Sequence, residues 1–170
     1  MNHIVFIGFM GSGKTKVGKQ LASELNLEFI EVDKMITKKM NMSIAELNQR
    51  FGEPYYRALE TLFVKELVKD GQRKVISLGS GLPLQEQNHK YIKELGTIVY
   101  LKATAETLMK RLGSAFMDSE DGEEKLKKLL KQREPVYAGF ADVCVVTGNR
   151  PFMSLIEEIK EKIEAYEKNG

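Results

Sequence analysis

The chain has 170 residues, of which 42% are hydrophobic and 29% are charged, so its length suits one domain with a sizeable core. Its 26 basic and 24 acidic residues give a net charge of +2, which offers no electrostatic case for a nucleic-acid or membrane partner. The single cysteine excludes an internal disulfide and fits a reducing compartment. No apolar run is long enough to span a bilayer and no targeting segment is evident, so we expect a cytoplasmic protein.

The strongest motif lies in residues 3–15. Ile4–Ile7 predicts a strand buried on both faces, and the run Lys16–Leu25 predicts a helix. Between them, residues 8–15 (GFMGSGKT) match G-x-x-x-x-G-K-[ST] at every fixed position. A strand, a glycine loop and a helix in this order are the context in which the pattern predicts a phosphate site. A glycine-rich turn that binds nothing is the alternative, and nucleoside triphosphate binding is the favoured interpretation.

The chemistry of phosphate binding explains these residue types. Glycines permit backbone angles that let successive N–H groups point at one phosphate, and the following helix adds a partial positive charge. Lys14 is expected to reach the outer phosphates and the Thr15 hydroxyl to ligate Mg²⁺. The predicted nucleotide-binding residues of this segment are Gly11, Ser12, Gly13, Lys14, Thr15 and Lys16.

The next segments contain a second strand and three helices. Glu28–Val32 predicts a strand that ends in Asp33, and Lys34–Met40 predicts a short helix. The capping box Ser43-Ile-Ala-Glu46 predicts a helix start at Ser43. A further helix opens near Pro54 and carries a predicted apolar stripe of Leu59, Leu62, Phe63 and Leu67.

The second half of the chain alternates strands and helices. The predicted strands are Val75–Leu78, Thr97–Leu101 and Asp142–Val146, and the predicted helices are Gln85–Leu95, Thr104–Leu112, Glu123–Arg133 and Met153–Glu167. This alternation implies right-handed crossovers and a parallel sheet covered on both faces. Ligands of such sheets bind beyond the carboxyl ends of the strands, which brings four points into one cleft: the glycine loop, Asp33, Gly79-Ser80-Gly81 and the loop after Leu112.

Several polar positions each have a second interpretation. Asp33 could cap the next helix, and Arg57 could be a solvated helical arginine. Arg133 could pair with Glu134, and residues 79–81 could form only a tight turn. Taken one at a time, these positions leave both interpretations open.

Together, the motifs resemble those of the shikimate kinases over nearly the whole chain. Five segments carry the resemblance in family order: Ile7–Thr15, Phe29–Asp33, Phe51-Gly-Glu-x-x-x-Arg57-x-x-Glu60, Ser77–Gly81 and Lys131-Gln-Arg-x-Pro-x-Tyr137. The resemblance implies an α/β, three-layer P-loop kinase with a five-stranded parallel sheet of order 2-3-1-4-5 flanked by helices. It implies one kinase domain over residues 1–170, with a substrate-binding segment at about 33–60 and a mobile lid at about 113–122.

The resemblance also implies an activity. The family transfers the γ-phosphoryl group of MgATP to the 3-hydroxyl of shikimate, in the route to aromatic amino acids. We therefore expect a monomer whose partners are ATP and a small anionic substrate, and Mg²⁺ as the metal.

Residue roles carry over by position. Asp33 matches a carboxylate that binds the substrate hydroxyls and can take the reacting proton. Arg57 and Arg133 match two arginines that hold the substrate carboxylate, a task that suits guanidinium forks. Gly79 and Gly81 match glycines that approach the ring, with Ser80 between them.

The remaining roles concern the nucleotide and the metal. Arg111 matches a nucleotide-phosphate contact and, with Lys14 and Asp33, completes the expected catalytic set. Arg150 falls in the family's adenine-contacting turn. The expected metal-binding residues are Thr15 and Glu31.

The chain departs from the family pattern at four places. Glu31 replaces the usual Asp, Ser80 replaces the middle glycine, and Lys16 stands where Ser or Thr is common. No arginine occurs between Arg111 and Arg133, although the family's lid carries one. Such arginines can contribute roughly a thousandfold in rate, or about 4 kcal/mol of barrier.

These departures keep several alternatives open. Either Lys125 or a rearranged Arg111 substitutes for the lid arginine, or the chain is slow, altered in substrate, or non-catalytic. A kinase of another small anionic acceptor and a nucleotide-binding module without transfer activity therefore stand beside the shikimate kinase interpretation.

The phosphate-loop interpretation predicts that Lys14→Met abolishes phosphoryl transfer, because the methionine side chain cannot neutralise the outer phosphates. A coupled ADP-release assay measures the loss, and circular dichroism verifies that the variant is folded. Substantial residual turnover in a folded variant would contradict the assignment.

Overall fold

Five parallel strands form one sheet in the order β2-β3-β1-β4-β5. The computed structural model describes residues 2–116 and 121–170. The strands are β1 His3–Ile7, β2 Glu28–Glu31, β3 Lys74–Ser77, β4 Gly96–Ala103 and β5 Val143–Thr147. The predicted sheet and its strand order are confirmed.

Helices cover both faces of this sheet. They are α1 Lys14–Leu25, α2 Val32–Met40, α3 Ile44–Phe51, α4 Glu53–Lys69, α5 His89–Leu95, α6 Ala105–Phe116, α7 Gly122–Phe140 and α8 Phe152–Asn169, with short 3-10 turns at Leu82–Leu84 and Glu86–Asn88. Helices α1 and α8 pack on one face, and α2 to α7 contribute to the core on the other. The result is the expected three-layer α/β architecture.

The central strand β1 is fully buried. Ile4 and Phe6 point into the core under α1 and α8, whereas Val5 and Ile7 point into the opposite core. A parallel strand covered on both faces must be apolar throughout, which is why Ile4–Ile7 reads as a continuous hydrophobic run.

The edge strand β5 behaves differently. Its residues alternate between buried and exposed, and both Cys144 and Val146 are exposed. The apolar sequence Val143–Val146 predicts a buried cysteine, and this prediction is wrong because one face of an edge strand is left uncovered.

Several helix ends differ from the predicted ones. Helix α2 begins at Val32, so Asp33 lies in its first turn rather than directly after the strand. Helix α6 continues to Phe116 and α7 begins at Gly122, so residues at both ends of the predicted lid loop are helical. Residues 117–120 of that loop lie outside the described residues.

Two other elements also differ. The predicted helix Gln85–Leu95 becomes α-helical only from His89, after 3-10 turns. Helix α7 continues through Pro135, where the missing amide hydrogen removes one helical hydrogen bond without ending the helix.

The buried face of α4 is shifted from the predicted stripe. Leu62 is 51% exposed, whereas Tyr56, Glu60 and Val64 are buried together with Leu67. The stripe prediction is therefore wrong at Leu62. The core side of the helix carries a carboxylate, Glu60, that apolar periodicity does not reveal.

His3 lies at the end of the sheet that is opposite the predicted cleft. Its ring is 1% exposed, its Nε2 contacts the Leu67 carbonyl at 2.9 Å, and its Nδ1 accepts a hydrogen bond from the Lys74 amide at 3.1 Å. The ring thus joins β1, the last turn of α4 and the start of β3.

Within residues 2–116 and 121–170, no helix is long and apolar enough to cross a membrane.

We expect His3→Ala to lower the free energy of unfolding by about 2–4 kcal/mol, because a buried carbonyl and a buried amide both lose their partner. Urea unfolding followed by circular dichroism measures the loss. Replacement of the exposed neighbour, Asn2→Ala, is the control and is expected to change stability by less than about 0.5 kcal/mol. An equal effect of both substitutions would contradict the structural role of His3.

Candidate active site

The glycine loop between β1 and α1 has the backbone that a phosphate cradle needs. Gly11 and Gly13 have φ angles of 82° and 99°, which side-chain-bearing residues rarely adopt. Helix α1 begins without a side-chain cap, so the amides of its first turn have no side-chain acceptor. The Ser12 hydroxyl is buried without a hydrogen-bond partner among the described residues. Uncapped amides and this hydroxyl fit an anionic ligand.

The Lys14 ammonium group lies inside this loop. Its Nζ donates hydrogen bonds to the Gly8 carbonyl at 2.7 Å and to the Phe9 carbonyl at 3.3 Å. Burial lowers the pKa of Lys14 to about 8, although the carboxylates of Asp33 and Glu31 act in the opposite direction. A lysine in this setting gains stabilisation of its charged form when phosphates approach.

Thr15 and Glu31 form a small oxygen-rich site. The Thr15 hydroxyl donates a hydrogen bond to the Glu31 carboxylate, and Lys34 Nζ lies 3.0 Å from the same carboxylate. Burial raises the pKa of Glu31, but hydrogen bonds from Thr15 and Lys34 outweigh it and hold the pKa below its usual value. Glu31 is therefore ionised at neutral pH.

Hydroxyl and carboxylate oxygens of this kind suit Mg²⁺, which is held by few protein groups together with phosphates and waters. In the part of the chain that the structure describes, no three His, Cys, Asp or Glu side chains converge on a metal site. The residues Thr15 and Glu31 thus fit a phosphate-bound magnesium ion better than an all-protein metal site.

A cavity of about 280 Å³ brings the predicted phosphate and substrate residues together. Its lining includes Lys14, Thr15, Glu31, Asp33, Gly79 and Ser80. Asp33 is half-buried there, and its Oδ1 accepts a hydrogen bond from the Lys34 amide at 2.9 Å. The cavity brings together the glycine loop, Asp33 and residues 79–80, three of the four segments predicted to converge. The fourth, the loop after Leu112, includes residues 117–120, which lie outside the described residues.

Arg57 projects from α4 and pairs with a buried acid. Its Nη1 lies 2.6 Å from Glu60 Oε1, and its Nε lies 3.4 Å from Glu53 Oε1. Glu60 is 2% exposed, and burial raises its pKa even though Arg57 favours its ionised form. A solvated Arg57, the alternative left open by the sequence, does not fit this geometry.

Glu60 belongs to the motif that begins at Phe51, but the sequence analysis assigns it no function. Glu60 follows Arg57 by three residues, a spacing that places both side chains on one face of a helix and that indicates this ion pair. Gly81 is the other part of this arrangement. A Cβ atom at Gly81 would lie 2.7 Å from Arg57 Nη2, so glycine leaves room for the guanidinium.

Arg133 projects from α7 towards the glycine loop. Its guanidinium carbon lies 5.2 Å from the centre of the Phe9 ring. Glu134, the alternative partner of Arg133, instead lies 2.8 Å from Lys102 Nζ. Arg133 therefore lies beside the glycine loop, and Glu134 pairs with Lys102.

A second cavity, of about 330 Å³, lies on the other side of the glycine loop. It is lined by Gly11, Gly13, Lys16, Arg111, Asn149 and Arg150, among others. Arg111 Nη1 donates a hydrogen bond to the Gly11 carbonyl at 2.7 Å, and Lys16 Nζ lies 4.6 Å from the centre of the Phe152 ring. Arg150 is anchored by Glu158 at 3.2 Å. The predicted nucleotide-binding residues outside the loop thus share one cavity.

Comparison with known proteins identifies this arrangement. A model of the family described as shikimate kinase matches residues 10–164. The chain belongs to the shikimate kinase family. A relative from Thermodesulfovibrio yellowstonii, named shikimate kinase, is 39% identical over 168 residues, which cover 96% of this chain and 93% of the relative.

Solved shikimate kinases share the fold. The enzyme from Acinetobacter baumannii, determined in complex with shikimate, superposes with a TM-score of 0.86 at 31% identity and covers 97% of this chain and 94% of its own. The Aquifex aeolicus enzyme gives a TM-score of 0.83 at 32% identity, with 99% of both chains covered. The expected family and its P-loop kinase fold are confirmed.

The environment of Lys14 predicts proton uptake when this family member binds ATP. At pH 8 the free lysine is about half protonated, whereas phosphates raise its pKa and complete the protonation. ATP binding without added metal should therefore take up about half a proton at pH 8, and the affinity should fall as the pH rises further. Calorimetry in two buffers of different ionisation enthalpy measures the uptake.

Lys14→Arg is the matched control, because its guanidinium stays charged throughout this range. The uptake should disappear in this variant even if the affinity changes. Equal uptake by both proteins would assign the proton to another group.

Proposed function

We propose that the protein transfers the γ-phosphoryl group of ATP to the 3-hydroxyl of shikimate. The observation that carries the proposal is the cavity in which the phosphate loop meets Asp33 and residues 79–80, in a chain that belongs to the shikimate kinase family. We also propose that the protein acts as a monomer in the cytoplasm, as expected from the sequence.

The nucleotide binds along the glycine loop in this proposal. Backbone amides of Gly11–Thr15 and the N-terminus of α1 hold the phosphates, and Lys14 leaves the loop carbonyls to contact the outer phosphates. Arg111 contacts the phosphates beside Gly11, while Lys16 and Arg150 line the cavity that accepts the nucleoside.

The acceptor binds on the other side of the loop. Arg57 and Arg133 hold its carboxylate, because planar guanidinium groups pair with carboxylates through two hydrogen bonds. Gly79, Ser80 and Gly81 bring their backbone close to the ring, and Asp33 orients the reacting hydroxyl. The complex of the Acinetobacter baumannii relative with shikimate supports this choice of acceptor.

The reaction forms a bond between the acceptor 3-oxygen and the γ-phosphorus and breaks the bond from that phosphorus to the β,γ-bridging oxygen. The hydroxyl proton passes to Asp33, and ADP leaves. Most of the rate comes from holding the two substrates in line and from the positive charge of Lys14 and Arg111 near the transferring group. Magnesium, when bound, would be held by Thr15 and Glu31 and would neutralise phosphate charge.

A second candidate function is a nucleotide-binding protein that has lost transfer activity. The observation that favours it is the absence of any arginine between Arg111 and Arg133 in the sequence. This candidate predicts ATP binding without transfer to shikimate or to other small acids.

A coupled ADP-release assay with MgATP, with and without millimolar shikimate, tests the proposal. Shikimate-dependent turnover supports the proposed function and shows that the lid arginine is dispensable or replaced. Shikimate binding by calorimetry without turnover would favour the second candidate. Absence of shikimate binding would overturn the assigned acceptor.

Replacing Arg57 with Ala is expected to raise the KM for shikimate about ten- to a hundredfold, the effect of losing charge-assisted hydrogen bonds to a carboxylate. The KM for ATP should change little, since Arg57 lies on α4 and away from the nucleotide cavity. Arg50→Ala, at an exposed arginine of α3, is the matched control. Equal losses for both substrates would show that Arg57 is structural.

A further inference from the structure

Tyr137 lies on α7 one helical turn after Arg133. Its side chain is 1% exposed, and its hydroxyl donates a hydrogen bond of 2.7 Å to the carbonyl of Ser80. Ser80 lies in the segment 78–81 that joins β3 to the first 3-10 turn, so this bond ties α7 to the backbone of residues 79–81.

Tyr137 shares one face of α7 with Arg133. Burial raises the pKa of Tyr137, while the positive charge of Arg133 and a hydrogen bond from its guanidinium act in the opposite direction. Residues four apart on a helix project from one face, so Arg133 and Tyr137 point together towards the glycine loop and residues 79–81. The phenol therefore bonds to the Ser80 carbonyl from the same helix face that carries Arg133.

The other end of this segment supports Arg57. A Cβ atom added at Gly81 would lie only 2.7 Å from Arg57 Nη2, so the backbone at Gly81 lies directly against the guanidinium. Glu60 holds the same guanidinium through Nη1. Residues 79–81 thus lie against Arg57 and are bonded through Tyr137 to α7, the helix that carries Arg133.

We propose that Tyr137 is a positioning residue that sets the distance between Arg133 and Arg57 by holding residues 79–81 against α7. The inference rests on the proposed function, in which both arginines bind the acceptor carboxylate. Two guanidinium groups can bind one carboxylate together only when the distance between them suits the spacing of the two carboxylate oxygens. Small displacements of either group therefore reduce binding.

Pro135 increases the need for such a contact. It lies between Arg133 and Tyr137 and lacks the amide hydrogen of that helical turn, so α7 has one hydrogen bond fewer at this point. The bond from Tyr137 to Ser80 is a tertiary contact that holds this turn against the sheet edge.

Tyr100 offers a matched control for the Tyr137 hydroxyl. It is a buried tyrosine of β4 whose ring centre lies 5.5 Å from that of Tyr137, and it lines a separate cavity with Lys102, Lys131 and Cys144. Tyr100→Phe removes a hydroxyl from the same cluster without removing the bond to Ser80.

The test compares Tyr137→Phe and Tyr100→Phe with the parent chain. Calorimetry measures shikimate binding without nucleotide, steady-state kinetics give KM for both substrates, and thermal unfolding monitors folding. We expect Tyr137→Phe to weaken shikimate binding about three- to tenfold, the range that loss of one hydrogen bond supports, with the KM for ATP unchanged. Tyr100→Phe should bind shikimate like the parent.

A double-mutant cycle with Arg133→Lys provides a second measurement. If Tyr137 acts through Arg133, Tyr137→Phe should weaken shikimate binding less in the Arg133→Lys background than in the parent. Additive effects would overturn the positioning role, as would parent-like binding by Tyr137→Phe or an equal rise in both KM values.

These outcomes are distinct from failure of the proposed function. A parent chain that does not bind shikimate overturns both inferences at once. A parent chain that binds shikimate, together with an unaffected or generally impaired Tyr137→Phe variant, overturns only the role of Tyr137.

Discussion

Parallel pairing of β1 with its neighbours determines where the candidate active site lies. Phe6 of β1 pairs with Ser77 of β3, and Ser77 pairs in turn with Glu31 of β2. The three strands therefore end level with one another, and the segments that follow them meet at one edge. The Leu78 amide extends this alignment by one residue through its hydrogen bond to the Phe6 carbonyl at 3.1 Å. The glycine loop, Asp33 and residues 79–81 depend on this register, because a parallel sheet presents the carboxyl ends of its strands together.

Charge pairing prepares this edge for anionic ligands. Lys14 is held among carbonyl oxygens of the loop, where burial lowers its pKa and the charges of Asp33 and Glu31 offset only part of that lowering. Arg57 is fixed by Glu60 and Glu53, which engage its Nη1 and Nε atoms. Five N–H donors on a guanidinium leave further donors for a ligand once two are used for positioning. Fixed cations of this kind reduce the reorganisation needed when phosphate and carboxylate groups bind.

The departures from the family pattern take on physical meaning in the structure. Glu31 has a longer side chain than the aspartate usual in the family, and its carboxylate accepts a hydrogen bond from the Thr15 hydroxyl. A carboxylate therefore still faces the expected metal position. Ser80 contacts Tyr137 through its backbone carbonyl, and this contact does not depend on a glycine at that position. For the lid, the sequence lacks the usual arginine, and residues 117–120 lie outside the described residues.

The phosphate loop and the succession of strands and helices could be predicted from the sequence, because both depend on local chemistry. A contiguous glycine motif specifies its own backbone, and a strand covered on both faces must be apolar. The sheet order and the roles of Asp33, Arg57 and Arg133 came from resemblance to a family. The cavities and ion pairs are consistent with these roles, which stay predictions.

Only the tertiary structure decided the features that depend on distant segments. Cys144 is exposed because β5 is an edge strand, and Leu62 is exposed because the buried face of α4 carries Glu60 instead. Tyr137 and Ser80 are 57 residues apart, and nothing in their local sequence indicates that they meet. Local sequence sets backbone preference and apolar periodicity. Burial of a charge, exposure of an edge and a bond between distant residues depend on which surfaces the folded chain brings together.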